Sequence, residues 1–476
     1  MNPSYAQLFR ALLPELALVA GACAVLGVDL AWLSGWAPAR RRAAALVVAA
    51  ASVVAALGLV CAGPRGSLYG GEWILDPLAV GTQAALLGLL LLGLGATSGA
   101  KLQQDPAEFV ALTLLAGAGF LAMAAAQQLL LAFLALELAS LCLYVLTGYD
   151  RLSPASAEAG LKYFLLGGMA AAFLLFGLSL IYGSEGTLEL PRIGARVAAQ
   201  GMTPLLQVGL AMVVVALGFK TAAAPFHFWA PDVYEGAPAP AAAVIASASK
   251  VAAVVLFARL LGVGFGAAGW PPAVAVLAAA SLLVGNIGAL GQGNLRRLLG
   301  YSAVAHAGAL LLALLLLRAA GPGPLWYYAL TYGVATLGAF GVIATLESDG
   351  DCQRISDLAG LHRRSPLLAA CLAVFVLSLA GIPPLAGFFG KFAVFAAALS
   401  AGGVASAPGA LALAAIALTV VALYYYLRLL KPAFLSPVPA GAAVISVPWA
   451  VRVCLVAAAV LLVILGLFPR LLLDRL

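Results

Sequence analysis

Four of the six lysines in this chain, Lys162, Lys220, Lys250 and Lys391, fall inside long apolar stretches, whereas all nineteen arginines sit in loops or near the ends of such stretches. The sorting is chemical. Arginine keeps its proton in any environment, but a lysine taken out of water can drop several pKa units from about 10.4 and so exchange a proton near neutral pH. Insertion scales charge roughly 2.5–3.5 kcal/mol for each lysine at mid-membrane depth. Four of them would cost on the order of 10–14 kcal/mol, which a function must offset. The chemistry that needs such groups is proton transfer.

Glu137, in LALELASLCLY, is the one acid that falls near the middle of an apolar stretch with lysines in reach. A carboxylate and an ammonium about 4 Å apart attract by roughly 4 kcal/mol at an effective dielectric of 20. Loosening such a pair would release the lysine's proton, so Glu137 is expected to pair with one of the interior lysines. Glu137, Lys220, Lys250 and Lys391 are the primary relay candidates, with Lys162, His227 and His306 as secondary ones. Each has a competing structural reading: a static ion pair with Glu158 for Lys162, a neutral satisfied core histidine for His306, and an ion pair or snorkelling side chain for the other lysines. His362, beside Arg363 and Arg364, reads as a solvated loop residue.

Helix breakers stand beside two of the lysines. In GFKTAAAPFHFWAPDVYEGAPAP, Pro225 follows Lys220, and in LAGIPPLAGFFGKF, Pro383, Pro384, Gly387 and Gly390 precede Lys391. Proline removes a backbone donor and frees carbonyls of the preceding turn. Irregular backbone at membrane depth is tolerated where protein buries it or water lines it, and paired discontinuous helices point to a transport site.

The elements that position these residues follow from composition. Apolar residues make up 64% of the chain and charged ones 9%, against roughly a quarter charged for a soluble domain. Stretches of about 20 apolar residues, the length of a span, recur from end to end. About fourteen are predicted, near 11–33, 43–62, 76–98, 108–126, 128–149, 158–183, 204–230, 238–263, 271–291, 295–318, 324–346, 366–401, 407–430 and 449–472. The fold class is therefore an all-α polytopic membrane protein. Its first stretch, with Glu15 and Asp29, reads as a retained helix rather than a signal peptide. With the N-terminus outside, about thirteen basic residues (Arg40–Arg42, Lys101, Arg151, Arg296, Arg297 and others) fall on the cytoplasmic side and about eight on the other. That bias places both termini outside.

Several function classes are excluded. The net charge of +7 is scattered among loops, with no basic domain to hold nucleic acid. The six cysteines show no paired spacing, so neither a disulfide frame nor an iron–sulfur site is indicated. Gly264–Gly269 fits G-x-G-x-x-G but joins two apolar spans instead of following a strand, so it does not read as a dinucleotide site. With no metal-ligand cluster, P-loop or nucleophile elbow, no metal is expected and redox chemistry must belong to other chains.

The halves of the chain look related. Lys220 and Lys391 are 171 residues apart, and the same offset carries Glu137 to the neighbourhood of His306 and Lys250 to that of Tyr424–Tyr426. Five spans per unit is odd, so two such units would be inverted relative to one another. The expected organisation is 1–105 with helices 1–3, 106–265 and 266–432 as the two units, and 433–476 with the last helix.

The runs PFHFWAPDVYEGAPAP (225–240), LKYFLLG (161–167), NLRRLLGYSAVAHAG (294–308) and GIPPLAGFFGKF (381–392), with Glu137 and Lys250, resemble the subunit N family of bacterial NADH–quinone oxidoreductase, respiratory complex I, over nearly the whole chain. That family is similar to the large subunits of multi-subunit sodium/proton antiporters. The resemblance implies fourteen helices, two inverted five-helix repeats and broken seventh and twelfth helices. It also implies roles: Glu137 the acidic partner, Lys220 the pump lysine, Lys250 the connecting lysine and Lys391 the lysine of the second half-channel. Subunits L and M typically carry histidine where Lys250 stands, and L has a long C-terminal lateral helix. NADH, FMN, iron–sulfur clusters and quinone are implied on partner subunits and no cofactor on this chain. The implied partners are subunit M, the small membrane subunits, membrane lipids and, indirectly, the peripheral arm, in the bacterial inner membrane. The alternatives are a large subunit of a cation/proton antiporter and a scaffold that only holds pumping subunits together.

Overall fold

The computed structural model describes residues 5–33, 35–99, 106–266, 269–350, 352–439 and 441–474. Lys101 and the centre of the G-x-G-x-x-G segment, 267–268, lie outside the described residues. Hydrocarbon offers the backbone no hydrogen-bond partners, so a span must satisfy its own N–H and C=O groups, which a helix does. The starts of these helices are written locally. Asp76, Ser153 and Thr203 each stand before a proline, and each side chain accepts the N–H three residues on. This is the N-cap followed by a proline whose missing N–H would be unused anyway. Asn294 caps the helix Leu295–Leu315 by accepting from the N–H groups of Arg296 and Arg297.

Among the described residues, thirteen helices are long and apolar enough to cross a membrane. They begin with Leu13–Leu33, Pro38–Ala62, Pro77–Thr97, Pro106–Ala125, Leu129–Thr147, Pro154–Glu185, Pro204–Thr221 and Ala239–Phe265. Pro271–Leu290, Leu295–Leu315, Gly323–Ser348, Ala407–Leu435 and Trp449–Leu467 follow. Two shorter apolar helices, Pro366–Ala380 and Ala386–Gly402, occupy the stretch expected to be the twelfth crossing. With this pair counted as the twelfth, the spans are numbered one to fourteen below in chain order. The eighth and eleventh spans are buried along their apolar length, while the second and thirteenth are mostly exposed to the surroundings. Only a helix enclosed by others can carry an ammonium in hydrocarbon without exposing it to lipid.

Two elements and one buried contact were not expected. A two-stranded antiparallel ribbon, Gly66–Leu68 with Trp73–Leu75, links the second and third spans. A helix at Leu190–Gln200 turns Leu190, Ile193 and Val197 inward, a 3–4 spacing legible in the sequence. Arg259 is buried against Asp76 and the Ala124 carbonyl, tying the eighth span to the third and fourth. In the first spans, Gln83 donates to buried Glu15 at 3.1 Å. His362 is not a solvated loop residue. It sits in the short helix Leu361–Arg364, with Nδ1 3.0 Å from the Ala433 carbonyl and its ring stacked on Phe434.

Both predicted breaks are present and built alike. The helix Pro204–Thr221 ends at Ala222, and Pro366–Ala380 ends at Gly381, each in the left-handed region. At each end two successive N–H groups turn back: Ala222 to Phe219 and Ala223 to Gly218, Gly381 to Ser378 and Ile382 to Leu377. This is a Schellman closure. Three residues beyond lie Pro225 and Pro384, so the breaks correspond at an offset of 159. The offset of 171 that pairs Lys220 with Lys391 therefore does not hold at the breaks. Lys220 precedes its break and Lys391 follows its own.

Candidate functional site

The fifth and seventh spans bring Glu137 and Lys220 to one cavity. The Lys220 ammonium donates to Ser140 Oγ at 2.8 Å, and Ser140 in turn donates to the Leu136 carbonyl at 2.6 Å. Glu137 and Ser140 are one helical turn apart and so share a face. The expected direct ion pair is not made: Glu137 has no cation within 4.0 Å among the described residues, and its buried Oε1 has no hydrogen-bond partner. Instead Glu137, Ser140, Tyr144 and Lys220 line a cavity of about 10 Å³, close to the space one water needs. The ammonium also lies 5.8 Å from the centre of the Tyr163 ring, an attraction of about 2 kcal/mol when desolvated.

Lys250 stands on the buried eighth span directly after a π-helical turn, Ile245–Ser249, a local widening frequent at functional positions. Its ammonium donates to the Ala303 carbonyl at 2.6 Å and lies 5.4 Å from the Tyr332 ring centre. His306 packs against the same ring at 4.9 Å. Both imidazole nitrogens are engaged, Nδ1 with the Tyr328 hydroxyl at 2.7 Å and Nε2 with the Tyr426 hydroxyl at 3.1 Å. Tyr426 also bonds Ser302. A hydroxyl can donate or accept, so this chain has two directions, and exchanging the tautomer of His306 reverses it.

Lys391 closes the line. Its ammonium donates to the carbonyls of Leu379 and Ala380 at 2.9 and 3.0 Å, the groups freed where the first half of the twelfth helix stops. With His306, Tyr328, Asn286, Thr419 and Tyr425 it lines a cavity of about 20 Å³. An ammonium has three donors. Among the described residues Lys220 and Lys250 each use one and Lys391 two, which leaves N–H groups for water.

Two secondary candidates lie apart from this line. Lys162 is partly exposed and pairs with Glu158 at 2.7 Å and with Asp232 at 2.8 Å. Arg297 bridges Asp232 and Glu235 at 2.6 and 2.9 Å. The cluster clamps the short helix Trp229–Gly236, beyond the first break, to the sixth and tenth spans. His227 is buried in the break itself, packed on Phe228, with Nδ1 unpartnered. Sequence reasoning missed Ser140, Ser302, Tyr328 and Tyr332. A signal existed: Ser140 follows Glu137 by three residues, Ser302 precedes His306 by four, and Tyr328 and Tyr332 are four apart, all helical-face spacings.

A helical membrane bundle with two broken helices and a buried series of lysines defines a class of ion-translocating antiporter-like subunits. Residues 126–419 match the family described as NADH:quinone oxidoreductase/Mrp antiporter, TM, and the chain belongs to that family. It is similar to NADH-quinone oxidoreductase subunit N 2 of Acidobacterium capsulatum, at 46% identity over 99% of each chain. It is also similar to a chain of respiratory complex I from Thermus thermophilus with bound aureothin, at 35% identity and a TM-score of 0.82, covering 97% of this chain and 98% of that one. A chain of the Mrp complex from Dietzia sp. DQ12-45-1b shares the fold, at 24% identity and a TM-score of 0.82, over 98% of this chain and 96% of that one.

Proposed function

We propose that this chain is a proton-translocating membrane subunit of an NADH–quinone oxidoreductase. Protons pass along Glu137, Lys220, Lys250, His306 and Lys391 while quinone is reduced elsewhere in the complex. The carrying observation is the buried series itself: each ammonium is held by one or two neutral acceptors rather than by a fixed carboxylate. A lysine locked in an ion pair holds its proton, whereas one solvated by a hydroxyl or carbonyl can give it up.

Glu137 acts through the shared cavity. A change in its charge or position alters the field at Lys220, whose proton then moves through Lys250 toward Lys391. The two units are 106–265 and 266–432, inverted relative to one another and supported by the matching breaks at Pro225 and Pro384. The termini lie on the outer face of the bacterial inner membrane, and NADH, FMN, iron–sulfur clusters and quinone are bound by partner subunits.

Lys220→Ala and Glu137→Ala complexes, assembled and reconstituted into vesicles, test this. NADH-driven proton uptake falls by about tenfold or more if Lys220 and Glu137 sit on the path; wild-type pumping by both variants overturns it. The shared fold with the Mrp complex favours a second reading, a cation/proton antiporter subunit. Mass spectrometry of chains that copurify in mild detergent separates the two, since only the respiratory subunit travels with flavin and iron–sulfur subunits.

A further inference from the structure

A cleft of about 860 Å³ lies between the third, eleventh and fourteenth spans, and no relay residue lines it. Its walls are apolar: Val80 and Ala84 from the third span, Trp326 and Leu330 from the eleventh, Leu461 and Leu465 from the fourteenth. The Trp326 indole N–H is committed to Thr82 Oγ1 at 3.1 Å, so this ring adds no unmet polar group. All six residues stand near one end of their spans, after Pro77 and Gly323 and before Leu467. From Pro77 to Ala85, which also line the cleft, a helix rises about 12 Å. That is close to half of the ~30 Å hydrocarbon thickness of a bilayer, so the cleft has the depth of one leaflet. A membrane-spanning helix of another chain would need a groove along the whole span.

Two charged residues line the cleft, Arg65 and Asp76. Asp76 is satisfied: both oxygens accept from the guanidinium of Arg259, and Oδ1 also accepts the Ala79 N–H. Arg65 is held in place but not neutralised. Its Nη1 donates to the carbonyls of Gly63 and Pro64 at 2.8 and 3.1 Å, and its Nη2 to that of Cys61 at 3.0 Å, all at the end of the second span. A guanidinium has five N–H donors. Among the described residues, Nε and one hydrogen of Nη2 therefore remain, two donors as a bidentate contact with a phosphate requires. A fixed, uncompensated cation at the edge of an apolar cleft one leaflet deep matches an anionic headgroup with acyl chains below it.

We propose that this cleft binds an anionic phospholipid, its phosphate on Arg65 and its acyl chains between the third, eleventh and fourteenth spans. Without a chain in it the apolar lining lacks contact partners on one side, and an acyl chain supplies them. The lipid joins the third and fourteenth spans to the eleventh, the helix that carries Tyr328. The site is independent of the relay.

The test uses the assembled complex in phosphatidylcholine vesicles that contain a trace of phosphatidylglycerol with a photoreactive group on one acyl chain. After illumination and digestion, labelled peptides come from the third, eleventh and fourteenth spans. Excess unlabelled phosphatidylglycerol removes the label, whereas added phosphatidylcholine or free fatty acid at the same concentration does not. Arg65→Gln lowers labelling about tenfold. Ala84→Phe, which fills the cleft and leaves Arg65 in place, abolishes it. Labelling of these peptides no stronger than that of the exposed second span overturns the site, and so does labelling unchanged in both variants. A cleft covered by another chain gives no label there and overturns it equally. Competition by phosphatidylcholine or fatty acid as strong as by phosphatidylglycerol overturns recognition of an anionic phospholipid. Should either variant fail to assemble, the competition series on the wild-type complex decides.

Discussion

In the seventh span the lysine stands two residues before its break, and in the twelfth it stands ten residues after. The breaks have the same Schellman closure, but they dispose of their carbonyls differently. At the first, Phe219 accepts from the Ala222 N–H and the Trp229 indole, and Gly218 from Ala223. The ammonium of Lys220, which stands before its break, reaches Ser140 and the Glu137 cavity instead. At the second, the carbonyls of Leu379 and Ala380 go to Lys391 itself. The first break leaves its lysine facing an acid, and the second solvates its lysine with the negative end of a half-helix. Only the first cavity has a carboxylate in its lining. A change of charge at Glu137 therefore has its most direct effect on Lys220, while Lys391 shares its cavity with His306.

That contrast predicts unequal responses to mutation. The largest is at Gly387, where an added Cβ would lie 1.8 Å from the Ser378 carbonyl oxygen. Gly387→Ala forces the halves of the twelfth helix apart at more than about 3 kcal/mol, read as loss of assembled complex on native gels. Next comes Lys391→Leu, which strips two buried carbonyls of their donor and costs about 3 kcal/mol. Lys220→Leu costs about 1 kcal/mol, because Ser140 keeps its own bond to Leu136. Equal falls in the thermal inactivation midpoint for these two would break the comparison.

Smaller effects sharpen it. Gly381→Ala places a Cβ 3.0 Å from Lys391 Cδ at a φ of +86°, costing about 2 kcal/mol through backbone strain and displacement of the lysine. Ala222→Gly, at φ +58°, moves stability the other way by up to about 1 kcal/mol. A Tm that falls on Ala222→Gly would show that its methyl group packs more than its backbone strains. Smallest is Lys162→Met, whose pairs are partly solvated and contribute no more than about 1 kcal/mol. Proton pumping near the wild-type rate is the expected result.

Much of this was legible in one dimension. The spans, the two breaks and the lysine series follow from apolar stretch length, from proline beside lysine, and from charges where hydrocarbon should be. Those signals are local, because a span must satisfy its own backbone and a proline acts on the turn before it. The amphipathic helix at Leu190–Gln200 and the hydroxyls one turn from Glu137 and His306 were equally legible by spacing but were outweighed by the charged residues. The 171-residue match between the two lysines does not extend to the breaks, which correspond at 159 because one lysine precedes its break and the other follows.

What the sequence by itself determined is the class of environment each segment occupies, because transfer between water and hydrocarbon depends on composition, residue by residue. What only the tertiary structure decided is which polar atoms meet. Glu137 stands beside Lys220 without touching it, Lys391 turns back to its own freed carbonyls, and His306 lies between two tyrosines 22 and 120 residues away. Helices in lipid pack through small residues and shape, and that packing sets the ångström-scale geometry on which proton transfer depends.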